Sequence, residues 1–195
     1  MTTPDSPKAT KPALEAPAEV KRSDWRDNLI TIVVAFLLAL LIRGFVAEPR
    51  YIPSDSMVPT LQVSDRLVID KLGYRFRDPQ FRDIVIFRPP SLLQELGYGN
   101  DQVFIKRVIG LPGQTLSVQN GRVEVDGRVL QEPYIAAPPA YSLGQIQVPT
   151  GEYFVMGDNR NNSNDSHVWG FLPQEQIMGR AVWRFWPLDR FGPVE

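Results

Sequence analysis

Only one stretch of this 195-residue chain is apolar at length: LITIVVAFLLALLI, Leu29 to Ile42, fourteen residues without a charge. As a helix it spans roughly 21 Å, short of a hydrocarbon core of about 30 Å. Continued through Arg43 and Gly44 to Ala47, it reaches roughly 28 Å, with Arg43 near one end, where its stem can snorkel to the interface. Three readings compete. A cleaved targeting segment fits the basic residues Lys21, Arg22 and Arg26 before the run, but Phe45 stands where Ala47 needs a small partner. A buried core helix needs a large protein around it, because the run is apolar on every side. A membrane anchor fits best. Lys11, Lys21, Arg22 and Arg26 precede the run, and only Arg50 and Arg66 follow it closely. That bias keeps the N-terminus cytoplasmic and translocates the rest.

The chain therefore divides into a disordered cytoplasmic tail (1–24), a transmembrane helix (25–47) and a β-rich domain (48–195). The tail is rich in Pro, Ala, Thr and charge, with too little apolar content to bury. From Glu48 onward, runs such as DRLVIDK, DIVIFR, VFIKRVIG, EYFVMGD and RAVWRFW are short, apolar or alternating, and bounded by Gly, Pro, Asn and Asp. Asn120-Gly121 and Asp126-Gly127 are hairpin signals, because both central residues of a type I′ turn need positive φ. The pattern predicts a mainly β fold, a coiled antiparallel sheet or barrel-like sandwich. SLLQELGYGN reads as a short helical excursion or an insertion loop. The formal charge of −1 gives no electrostatic argument for a nucleic-acid partner. With no cysteine and one histidine, His167, neither a thiolate nor a multi-histidine metal site is available, and no cofactor is expected.

YIPSDSMVPTL, Tyr51 to Leu61, follows the anchor and carries Ser54 and Ser56 between Pro53 and Pro59. Serines between prolines are ordinarily turn residues, and a serine hydroxyl is a weak nucleophile without a base beside it. His167 with Asp165 would give a histidine triad, although these residues are two apart in one loop. Asp158 and Asp165 could form a carboxylate pair, but Asp158 in GDN also reads as a turn residue bonding its own backbone. The third candidate is Lys106. In FIKRVIG, Phe104, Lys106 and Val108 share one face and Ile105, Arg107 and Ile109 the other, so one charge points among apolar neighbours whichever face is buried. A lysine in water is neutral in about one molecule in a few thousand at pH 7; burial raises that share. Against this, either charge could decorate a solvated strand edge. GDNRNNSNDSHVWGFLP, residues 157–173, is a dense polar loop in which Ser163 or Ser166 can donate to a neighbour.

Four ordered blocks, PSDSMVPTL, DRLVIDK, FIKRVIGLPGQ and GDNRNNSNDSHVWG, together resemble type I signal peptidase, the membrane-anchored serine protease that removes signal peptides from exported proteins. The resemblance runs from the anchor to about residue 187. It implies that Ser56 is the nucleophile and Lys106 the general base of a Ser-Lys dyad. It further implies that Ser54 joins the Ser56 backbone N–H in an oxyanion hole and that Ser163 orients the lysine amine. Ile52, Pro53, Met57, Leu61, Phe104 and Ile105 would line pockets for Ala at the −1 and −3 positions of a precursor held as an added strand. Asp158, Asp165 and His167 would support the site. Two positions depart from the pattern: His167 replaces an arginine, and Asp55 stands where a small residue is frequent. The second, non-catalytic β domain of longer members is expected to be absent or reduced. The implied partners are signal-peptide-bearing precursors and the lipid bilayer, with the catalytic domain on the translocated side of a plasma or thylakoid membrane. A self-cleaving repressor-type protease would share the dyad but be soluble. A membrane-tethered, non-catalytic β binding module is the alternative of another class. Trp183, Phe185 and Trp186 belong either to the core or to a surface that dips into the membrane interface.

Overall fold

The computed structural model describes residues 25–41 and 47–194. The expected disordered tail lies outside them, as do residues 42–46 at the end of the expected span. Contacts divide the chain into two units, residues 1–38 and 39–195. The first contains most of helix α1 (Trp25–Leu41), seventeen residues whose only charges, Arg26 and Asp27, lie in the first turn. Ile30, Ile32, Phe36 and Leu37 are all more than half exposed. Among the described residues no helix is long and apolar enough to cross a membrane.

The second unit is mainly β, as expected. Its strands in chain order are β1 (Ala47–Tyr51), β2 (Arg66–Asp70), β3 (Ile84–Phe87), β4 (Phe104–Gly110), β5 (Thr115–Gln119) and β6 (Arg122–Val125). There follow β7 (Arg128–Val129), β8 (Leu143–Gln147), β9 (Glu152–Met156), β10 (Leu172–Pro173), β11 (Ile177–Trp186) and β12 (Gly192–Pro193). SLLQELGYGN begins with the short helix α2 (Ser91–Glu95). A further short helix, α3 (Ser166–Trp169), lies in the loop after β9 and is capped by the Asp165 side chain.

Eight strands form one antiparallel sheet in the order β1-β2-β11-β3-β4-β9-β10, with β12 added to β11. No ladder among the described residues joins β1 to β10, so the sheet is open, where a closed barrel would pair its end strands. Register shifts interrupt β11 against β2 and β3, and β4 against β9. Such bulges increase local twist, which curls the sheet. Between β4 and β9 the chain makes a separate four-stranded sheet, β7-β6-β5-β8. Its turns fall at Asn120-Gly121 and Asp126-Gly127, with φ of 49° and 73° at the first and 49° and 72° at the second.

The central strands bury both faces. Ile84, Ile86 and Ile105 join Ile52, Met57, Leu61 and Leu67 in one apolar cluster, whereas Val85, Phe87 and Val108 join Tyr153, Val155 and Trp169 in another. Fully burying an aliphatic side chain of this size contributes about 1.5–3 kcal/mol. Strand β4 lies between these clusters, and it carries both charges of FIKRVIG inward: Lys106 is 3% exposed and Arg107 1%. A solvated strand edge is thereby ruled out for both. Trp183 and Trp186 are exposed and do not belong to the core.

Candidate active site

The serine segment connects β1 to β2 and is pinned at both ends. Ile52 N–H donates to Asp65 O and Ser64 N–H to Ile52 O, each at 2.9 Å. Met57 and Leu61 are wholly buried and anchor the turn between them, closed by Leu61 N–H on Met57 O at 2.9 Å. Arg184 and Arg190 donate to Thr60 O at 3.0 and 3.1 Å from the far end of the chain. This framework holds Ser56 nearly buried beside an exposed Ser54, with their hydroxyls 3.4 Å apart.

Lys106 reaches the same point from β4, where Val85 of β3 is its register partner. Its Nζ donates to Ser56 Oγ at 2.7 Å and to Ile105 O at 3.0 Å. Burial pushes its pKa down from 10.5 to about 8, because the ammonium loses its water; the charges of Asp165 and Asp158 oppose the shift without cancelling it. A lysine bonded to a serine and poised to lose its proton near neutrality can accept a proton from that hydroxyl.

The polar loop after β9 packs against this pair. Asn159 N–H donates to Ser56 O at 3.0 Å. Gly157 is required here: a Cβ on it would overlap Ser163 and lie 2.5 Å from Ser56 O. Ser163 Oγ is buried yet makes no hydrogen bond among the described residues, so the expected contact with Lys106 is not formed. Ser166 Oγ instead accepts from Val155 N–H at 3.0 Å.

Asp158 and Asp165 do not face one another as a catalytic pair. Asp158 receives two bonds from Arg107, at 2.8 and 2.7 Å, in a pair that is wholly buried, and a third from Thr60. The Tyr134 ring lies 4.1 Å from the Arg107 guanidinium. Asp165 accepts from Gly157 N–H at 2.8 Å and meets His167 Nδ1 at 2.7 Å, and the imidazole stacks on Tyr141 with centroids 4.0 Å apart. The hydroxyl partners of Ser56 are Lys106 and Ser54, so the Ser56–His167–Asp165 triad is not assembled. His167 pairs with Asp165, as the departure from arginine allowed.

Four of the six expected pocket residues, Ile52, Pro53, Phe104 and Ile105, line one cavity of about 190 Å³. Ile86 and Val103 extend its apolar wall, and Arg50 and Asp101 add charge to it. Met57 and Leu61 line no part of it and belong to the core. Among the described residues no cluster of His, Cys, Asp or Glu could hold a metal ion.

Several participants escaped the sequence reading. Thr60 and Arg107 bond Asp158 and the Tyr134 ring packs on Arg107, while Arg160 braces the loop through Gly157 O at 3.0 Å and a two-bond pair with Glu132. The adjacent Lys-Arg of FIKRVIG was the one available signal, because an alternating strand cannot turn both to the same side.

Residues 25–186 match the family described as signal peptidase, peptidase S26. The chain belongs to that family of peptidases. It is 61% identical over 175 residues to the probable signal peptidase I-1 of Synechocystis, covering 88% of this chain and 89% of that one. It is 48% identical over 194 residues to the signal peptidase I of Leptolyngbya laminosa, covering 100% and 92%. These similarities are to type I enzymes. A probable thylakoidal processing peptidase 2 of Arabidopsis thaliana is 46% identical over 178 residues, covering 87% of this chain and 48% of that one.

Proposed function

We propose that this signal peptidase works as a membrane-anchored Ser-Lys endopeptidase that cuts precursors after Ala-x-Ala. The observation that carries the reading is the 2.7 Å bond between Lys106 Nζ and Ser56 Oγ inside a site that depresses the amine's pKa. In the neutral form Lys106 takes the Ser56 proton as Oγ attacks the scissile carbonyl. The C–O bond forms and the carbonyl oxygen becomes an oxyanion, held by Ser56 N–H and the Ser54 hydroxyl. Lys106 then returns the proton to the leaving nitrogen as the C–N bond breaks, and water repeats the sequence on the acyl-enzyme. Removing one oxyanion donor costs about 3–4 kcal/mol in comparable sites. Ser163, buried and unbonded against Gly157, is the residue assigned to orient the amine once substrate is bound.

The 190 Å³ cavity receives a small side chain. β1 is an end strand of the sheet, and Ile52 and Pro53 continue it along the cavity, which suits a precursor added as an extended strand. α1, about 25 Å long at roughly 1.5 Å per residue, is assigned to the anchor together with the residues that follow it, with the catalytic unit on the translocated side. Ser56→Ala and Lys106→Ala, compared with wild type on an Ala-x-Ala precursor in detergent, test the reading. Both should be folded and inactive, whereas His167→Ala should lose activity only in part. Near-wild-type cleavage by Lys106→Ala would sink the dyad, whereas no cleavage by the wild type would favour a non-catalytic binding module.

A further inference from the structure

Asp55 sits between the two serines, where a carboxylate works against an oxyanion. Its side chain turns instead to the loop after β9: Asn162 Nδ2 donates to Asp55 Oδ2 at 2.9 Å, and Asn159 Nδ2 donates to Asp55 O at 3.2 Å. The hydroxyls of Ser54 and Ser56 meanwhile face each other at 3.4 Å. The contact thus joins the residue before Ser56 to the residue before Ser163, and both Asp55 and Asn162 are exposed to solvent.

We propose that Asn162 is a positioning residue that holds the Asp55 carboxylate away from the place where the oxyanion forms. This rests on the assignment of Ser56 and Ser54 given above. A negative charge free to swing beside Ser56 N–H raises the energy of the tetrahedral intermediate more than that of the bound precursor, so its release lowers kcat and leaves KM nearly unchanged. Asparagine suits the task because its amide donates to the carboxylate and adds no charge of its own. Letting a unit charge move from roughly 10 Å to between about 5 and 6 Å of the reacting oxygen, at an effective dielectric constant of about 20, changes a rate by about tenfold.

The test uses the full chain in detergent with an Ala-x-Ala precursor, comparing wild type, Asn162→Ala, Asp55→Asn and the double variant. Asn162→Ala should lower kcat about tenfold. The double variant, in which the charge is also gone, should recover most of that loss. Raising salt from roughly 0.05 M to roughly 1 M should narrow the deficit of Asn162→Ala, because the screening length falls to about 3 Å. Thermal unfolding of each variant identifies misfolding. Should Asn162→Ala not fold, Asn162→Asp replaces it: that variant should be slower still, and combining it with Asp55→Asn should restore the bond with donor and acceptor exchanged. A wild-type kcat in Asn162→Ala, a double variant as slow as the single one, or a deficit indifferent to salt overturns the proposal. Ser56→Ala runs alongside: if it remains active, the assignment of the nucleophile fails, which is a different result from failure of rescue in an enzyme that Ser56→Ala inactivates.

Discussion

Replacing Lys106 with methionine separates what the lysine does for chemistry from what it does to stability. Folding takes this amine from water to a site where it is 3% exposed, and burial lowers its pKa from 10.5 to about 8. Below about pH 8 the folded and unfolded chains both hold the proton, and the native state bears the full cost of a buried ammonium. Between the two values only the unfolded chain holds it, so stability rises with pH across that window. The interval from about 8 to 10.5 corresponds to about 3 kcal/mol, at roughly 1.4 kcal/mol per pH unit. Methionine keeps an unbranched stem of similar length but loses the bonds to Ser56 Oγ and Ile105 O, each worth about 1 kcal/mol. Lys106→Met should therefore be about 1 kcal/mol more stable than wild type near neutral pH, and the advantage should vanish near about pH 9 and reverse above it. Urea unfolding of the full chain in detergent, followed by tryptophan fluorescence across that pH range, measures it. A variant less stable than wild type near neutrality, by a margin that pH does not change, would refute the claim that desolvation sets the state of this amine.

Cleavage rates should climb as pH passes through about 8, where Lys106 becomes neutral. Asp165→Asn removes a charge that raises the lysine pKa, so the inflection of its residual activity should move to lower pH; an unmoved inflection contradicts that coupling. Arg107→Met leaves Asp158 buried without its principal cation and should cost about 3–5 kcal/mol in urea unfolding, and a loss below about 1 kcal/mol would mean the pair matters little. Gly157→Ala forces Ser163 and Ser56 O apart; it should cost about 1–3 kcal/mol and depress kcat more than KM, so a wild-type kcat would show that the two loops need not touch. Trp186, Leu188 and Phe191 are exposed near the C-terminus, at 46%, 70% and 58%, and liposome binding by residues 48–195 without the anchor should weaken in Trp186→Ala; equal binding would assign these rings no membrane role.

The features legible in the sequence were those with a local cause. Asn-Gly and Asp-Gly fixed two hairpin turns because few other dipeptides tolerate two successive positive φ angles. Alternating and apolar runs marked β3, β4, β9 and β11 for the same kind of reason. Which strands would neighbour one another was not legible: β11 lies between β2 and β3, although more than a hundred residues of chain separate it from β2. The open edge and the exposed position of Trp183 and Trp186 follow from that long-range pairing. No window of residues contains it.

The same limit explains the site. Alternation required one charge of the Lys106–Arg107 pair to be buried, but that both are buried depends on β4 being central, with β3 and β9 as neighbours. The consequence is chemical. Each buried carboxylate nearby is already engaged, Asp158 by Arg107 and Thr60, Asp165 by Gly157 N–H and His167. Neither bonds Lys106, whose own acceptors are a hydroxyl and a carbonyl. A carboxylate in direct contact would hold the ammonium charged and useless as a base. Kept at a distance by their own partners, the two carboxylates raise the lysine pKa only part of the way back from the depression that burial imposes. Arg107, which looked like the less informative half of a dipeptide, is what satisfies the buried carboxylate of Asp158.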